Sequence, residues 1–172
     1  MKMRQALVVI DMLNDFVHEG APLEVPKSRE IISNIKREID KARQNEIPVI
    51  YLCDAHKPDD PEFKIWPPHC VEGTEGADVI EELKPDKDDF IVKKVSYSGF
   101  YNTKLEELLK SLGVQRLLLT GIVTNICVLY TGVDALMRGF EVEVIEDCVA
   151  GLNEDDHKFA LRQLKEILKP RR

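Results

Sequence analysis

Apolar residues along this chain follow two alternating rhythms. Short apolar or β-branched runs at 6–10, 47–53, 89–92, 116–120 and 140–145 have the length of strands. Longer stretches at 28–45, 103–112, 124–138 and 154–168 carry apolar residues at helical spacing. In the first of these, Ile31, Ile35, Ile39 and Ala42 share one face. Gly113 and Gly139 follow the second and third stretches, where a left-handed residue ends a helix at little steric cost. Strand–helix alternation implies parallel strands joined by crossovers. The expected fold is therefore a three-layer α/β/α sandwich with a central, mainly parallel sheet. No internal repeat, low-complexity tract or linker interrupts the pattern, so residues 1–172 read as a single domain.

One segment breaks the rhythm. Residues 54–78 are rich in Pro, Gly and His and have little periodicity. A loop of that size in a compact domain is usually functional. It also follows a strand's C-terminal end, where open parallel sheets bind ligands.

Three polar residues, Asp11, Asp54 and Lys94, stand at or just past the ends of apolar runs. If the strands are parallel, these ends share one edge of the sheet with the turn 121–127. Cys127 lies in GIVTNIC, a strand–turn–helix junction near a helix N-terminus, where the helix dipole favours a thiolate. Adjacent backbone N–H groups there are able to cradle an oxyanion. Asp11 suits the base that activates this nucleophile, and Lys94 the cation that stabilises it. The competing readings are a buried Cys127 acting as a small hydrophobe, a capping Asp11 and a solvated Lys94. Cys53 and Cys148 read as core thiols.

A metal hypothesis rests on the same region. Asp54 and His56, at i and i+2, face one side of an extended chain, and His69 supplies a third ligand from across the loop. One carboxylate and two imidazoles suit a divalent metal, Zn²⁺ first, with Fe²⁺ or Mn²⁺ as alternatives. Cys70 is a minor competitor as a thiolate ligand. His18 and His157 read as capping or surface groups.

Composition narrows the partners. Hydrophobic residues make up 44% and charged residues 32%, as in a globular protein, and the formal net charge is −7. No basic tract precedes Arg171 and Arg172, so nucleic acid is not an expected partner. No run approaches the roughly 20 apolar residues of a membrane span. Lys2 and Arg4 precede an apolar run too short for a signal-peptide core. The four cysteines form no CxxC pair, and with no export signal they read as reduced thiols of a cytoplasmic protein.

Four segments together, VVIDMLNDF, WPPHCVEGTEGA, KVSYSGF and TGIVTNICV, resemble the isochorismatase-like cysteine hydrolases, and within them the nicotinamidases. The resemblance runs from Ala6 to about Leu168. It implies Asp11, Lys94 and Cys127 as a catalytic triad. Lys93 is the rival for the lysine, but the spacing to the Tyr-Ser pair selects Lys94. It implies Asp54, His56 and His69 as metal ligands. It also implies a cis peptide between Ile122 and Val123 that turns the Val123 and Cys127 N–H groups toward an oxyanion. A homo-oligomer, dimer or tetramer, is implied as well. Many nicotinamidases carry glutamine where this chain has Leu13 and tryptophan where it has Ala55, leaving Phe16 and Trp66 to supply the aromatic surface of the pocket. The implied reaction is hydrolysis of a small amide, nicotinamide foremost, through a thioester. The alternatives are an N-carbamoyl or ureido amidohydrolase and a noncatalytic interaction subunit. Cys127 argues against an isochorismatase proper.

Overall fold

A computed structural model describes residues 3–169; Lys2, Arg171 and Arg172 lie outside the described residues. Five strands form one sheet: β1 (Gln5–Ile10), β2 (Val49–Asp54), β3 (Phe90–Lys94), β4 (Arg116–Ile122) and β5 (Glu141–Ala150). Their order is β3-β2-β1-β4-β5, and all four pairings are parallel. The sheet is thus wholly parallel rather than mainly so.

The helices are α1 (Asn14–Val17), α2 (Ile32–Gln44), α3 (Leu105–Ser111), α4 (Leu129–Met137) and α5 (Glu154–Arg162). One face of the sheet, with Val8, Ile10 and Leu119, packs on Leu109 of α3, Leu136 of α4 and Ala160 of α5. The other face, with Leu7, Val9 and Tyr51, packs on Ile35 and Ile39 of α2 and Phe16 of α1. Strands covered on both sides explain the near-continuous apolar runs of β1 and β2. These are the three expected layers.

Element boundaries moved where the helical stretches are not pure α-helix. The stretch expected at 28–45 is a tight 3₁₀ segment, Pro26–Ile31, followed by α2. The stretch expected at 124–138 opens with a wide π-helical turn, Thr124–Val128, before α4. The closing helix passes from α5 into a second such turn, Gln163–Ile167. Strand β5 runs five residues past the expected 145, beyond a register shift opposite Leu119 and Gly121.

The strand order reverses direction at β1, which lies between β2 and β4. Ligands bind at such switch points in open parallel sheets. The register pairs Ile10 with Gly121 across β1 and β4, and Asp54 with Lys94 across β2 and β3. Asp11, Asp54, Lys94 and the Gly121–Cys127 turn therefore meet at one edge.

Candidate active site

Asp11 leaves β1 in the left-handed region, with φ 53°. Non-glycine residues seldom adopt this conformation, and where they do it often marks a functional site. Its backbone N–H donates to the Leu52 carbonyl at 2.9 Å, and its Oδ1 accepts the Asp54 N–H at 2.9 Å. The carboxylate is thereby aimed inward. Gly121, on the neighbouring strand, has φ 104°, and a Cβ there would collide with the Ile10 backbone. Only glycine lets β4 turn so close to β1.

Lys94, the last residue of β3, is 1% exposed. Its Nζ lies 2.8 Å from Asp11 Oδ2, ion-pairs with Asp54, and donates to the Ser96 carbonyl at 3.0 Å. The same nitrogen stands 3.5 Å from Cys127 Sγ. Lys93, by contrast, is exposed and paired with Glu72 at 2.6 Å. The expected trio of Asp11, Lys94 and Cys127 thus converges in one buried cluster.

The electrostatics of this cluster follow from its burial. Burial would lower the Lys94 pKa, but Asp11 and Asp54 outweigh it and hold the ammonium well above its usual value. Burial, joined by the nearby charge of Asp54, pushes Asp11 up to about 6 against the pull of Lys94. Burial pushes the Cys127 thiol well up, and the attraction of Lys94 does not offset it. Sequence reasoning placed Cys127 at a helix N-terminus that favours a thiolate. It does stand near a helix start, fourth in the π-helical turn that leads into α4, but burial beside two carboxylates pushes its thiol up rather than down.

Asp54, His56 and His69 are all buried, and one ligand atom of each lies within 4.8 Å of the others. Cys70 belongs to no such group among the described residues. Each imidazole is oriented from behind. His56 Nδ1 is 3.0 Å from Asp60 Oδ2, and His69 Nδ1 is 2.8 Å from the Pro67 carbonyl. With Nδ1 engaged, Nε2 of each ring faces Asp54 Oδ2, at 3.6 and 3.9 Å. His56 Nε2 is buried with no hydrogen-bond partner. A buried, unpartnered ring nitrogen beside a carboxylate and a second imidazole fits a divalent metal, as does the outer support by Asp60 and Pro67.

A cavity of about 270 Å³ opens above the cluster. Asp11, Asp54, His69 and Cys127 reach it from below, with Val123 beside them. Phe16 and Trp66 both line it, where the sequence placed them. Leu13 and Ala55 are buried but not among its lining residues. Leu13 instead bridges to Val79.

Other contributors escaped the sequence reading. Tyr97 and Leu152 complete the apolar wall, and Trp66 Nε1 donates to Tyr97 Oη at 3.4 Å. Glu62 lies 3.9 Å from His69 Nε2. The Ile122–Val123 peptide, unlike these, was expected from the resemblance, and it is cis. His157 is not a plain surface group: its Nδ1 is 2.8 Å from Thr124 Oγ1, in the turn that carries Cys127. Among the described residues, no helix is long and apolar enough to cross a membrane.

The sequence model of the isochorismatase domain matches residues 5–170. An isochorismatase-like hydrolase from Alkaliphilus metalliredigens superposes with a TM-score of 0.93 at 39% identity, covering 97% of this chain and 93% of its own. N-carbamoylsarcosine amidase from Thermoplasma acidophilum gives 0.88 at 37% identity, covering 94% and 92%. A pyrazinamidase of Pyrococcus horikoshii in complex with zinc gives 0.91 at 33% identity, covering 97% of each.

Proposed function

Because this chain belongs to the isochorismatase family of hydrolases, we propose that it is a metal-dependent cysteine amidohydrolase whose foremost substrate is nicotinamide. The observation that carries the reading is the buried Asp11–Lys94–Cys127 cluster, open to an apolar cavity beside Asp54, His56 and His69. A noncatalytic subunit has no need of a fully buried lysine between two carboxylates, an arrangement that is costly to desolvate.

Asp11 accepts the Cys127 proton, and its raised pKa makes it a better base than an ordinary carboxylate. The sulfur attacks the amide carbonyl, and the carbonyl π pair moves onto oxygen. The N–H groups of Val123 and Cys127, residues that both line the cavity, stabilise that oxyanion. Removing one such donor typically slows a reaction roughly 100- to 1000-fold. As the C–N bond breaks, Asp11 delivers its proton to the nitrogen and ammonia leaves. Asp11 then takes a proton from water, the hydroxide adds to the thioester, the C–S bond breaks, and the proton returns to sulfur. Lys94 remains charged throughout and balances Asp11 and the developing negative charge. A divalent ion held by Asp54, His56 and His69 would supply a Lewis-acid position for a heteroaromatic nitrogen. Phe16 and Trp66 present flat apolar surface to such a ring.

A second reading, hydrolysis of an N-carbamoyl or ureido compound, is supported by the 37% identity to N-carbamoylsarcosine amidase. Ammonia release from nicotinamide separates the two, measured after chelation and again with Zn²⁺, Mn²⁺ or Fe²⁺ added. Metal-dependent release that disappears in a folded Cys127→Ala variant supports the first reading. Turnover surviving in Cys127→Ala rules out the thioester route. Metal-independent release from N-carbamoyl compounds alone selects the second reading.

A further inference from the structure

We infer that His157 is a positioning residue that holds the oxyanion turn in register through Thr124, an inference that rests on the cysteine-hydrolase reading above. The turn itself is short. Val123 precedes Thr124, Cys127 follows three residues later, and both line the cavity. The turn closes on its own backbone: the Val123 carbonyl accepts the N–H groups of Ile126 at 3.0 Å and Val128 at 3.3 Å. Its side-chain link to another helix is the Thr124 hydroxyl. Thr124 is fully buried, and its Oγ1 lies 2.8 Å from His157 Nδ1.

His157 is held in place from the other side. It stands one turn into α5, whose start is capped by Asn153: Oδ1 accepts the Asp156 N–H at 2.9 Å. The His157 N–H donates to the Asn153 carbonyl at 3.2 Å. Gly151 eases the approach, since a Cβ there would sit a tight 3.2 Å from His157 Cβ. The same 151–153 segment, directly after β5, carries Leu152 into the cavity wall. One local structure thus ties a wall of the cavity to the turn beneath the reacting carbonyl.

His157 does not line the cavity and touches none of the reacting groups, so its effect passes through Thr124. Oxyanion donors act because they are aimed before charge develops, and a misplacement of about 1 Å can slow catalysis roughly 100-fold. Losing the Thr124–His157 bond should therefore lower kcat, where the oxyanion forms, and leave ground-state binding in the cavity nearly intact.

The experiment is a set of five single variants and one double variant assayed on nicotinamide with metal loaded. His157→Phe and Thr124→Val remove the bond. His157→Asn places an amide at the position of Nδ1, His157→Gln places it one bond too far, and Thr124→Ser keeps the hydroxyl. We expect His157→Phe, His157→Gln and Thr124→Val to lower kcat about 10- to 100-fold with KM within about twofold. His157→Asn and Thr124→Ser should recover most of kcat. A double variant of His157→Phe with Thr124→Val should be no slower than either alone. A loss that follows thermal stability across all five variants, or equal activity of the Asn and Gln variants, overturns the assignment. If the wild type releases no ammonia from any amide, the hydrolase reading fails, and hydrogen–deuterium exchange across 123–128 still tests the anchoring. Faster exchange in His157→Phe, restored by His157→Asn, supports the anchor; unchanged exchange overturns it.

Discussion

Lys94 carries its charge at full burial because two carboxylates, Asp11 and Asp54, meet it there. Asp54 also faces both histidine Nε2 atoms, so one side chain belongs to the reactive cluster and to the metal group. Its own pKa is lowered: burial would raise it, but Lys94 and His56 together outweigh burial. His56 behaves differently. Burial would lower it, yet Asp54 and Asp60 raise it to about 9. Without metal, His56 therefore holds a proton below about pH 9, and an ion must displace it. The apparent metal affinity should rise about tenfold per pH unit up to about 9 and then level off. Calorimetry in two buffers of different ionisation enthalpy should report close to one proton released at pH 7.5; no release would contradict this. At this scale the sequence was partly readable. Asp11, Asp54 and Lys94 are visible because each interrupts an apolar run with a charge. Asp60 and His157 are not, since Asp60 meets His56 through irregular chain and His157 meets Thr124 across 33 positions.

At the level of elements, the decisive piece is the end of β4 with the π-helical turn behind it. Gly121 lets the strand pass against Ile10, and the turn then presents Val123 and Cys127 upward. Gly121→Ala should destabilise the fold by at least about 2 kcal/mol, because both the positive φ and the backbone contact reject a Cβ. A lower urea midpoint at unchanged slope would confirm it, whereas an unchanged midpoint would not. Strands and helices were readable from their spacing, and the exact ends of the helices were not. A wide turn adds a residue without breaking the apolar stripe, so 124–138 reads as continuous helix although its first turn is π-helical. Likewise Pro26 at the start of a tight turn hides the true start of α2 six residues on.

Across the whole molecule, the layers follow from the alternation of elements, but strand order does not. Nothing in the spacing says that β1 lies between β2 and β4, and that order is what gathers the site. The long connection between β2 and β3 carries His56 and His69, while Asp54 belongs to the sheet. A bound ion would clasp loop to sheet. At an ion concentration 100 times its Kd, stabilisation is about 2.7 kcal/mol, or roughly 5–10 °C in Tm for a chain of this size. Chelation should lower Tm by that amount and make residues 55–89 the first to be cut by protease; a Tm indifferent to chelator would argue against the metal site.

The walls of the cavity come from separate connections: Phe16 after β1, Trp66 and Tyr97 on either side of β3, and Leu152 after β5. Asp11 and Lys94, in contrast, are fastened to strand ends, and Cys127 to the turn behind β4. Specificity and reactivity are therefore carried by different side chains. An engineer wishing to retarget this scaffold has four wall side chains, Phe16, Trp66, Tyr97 and Leu152, to exchange while the sheet beneath stays untouched.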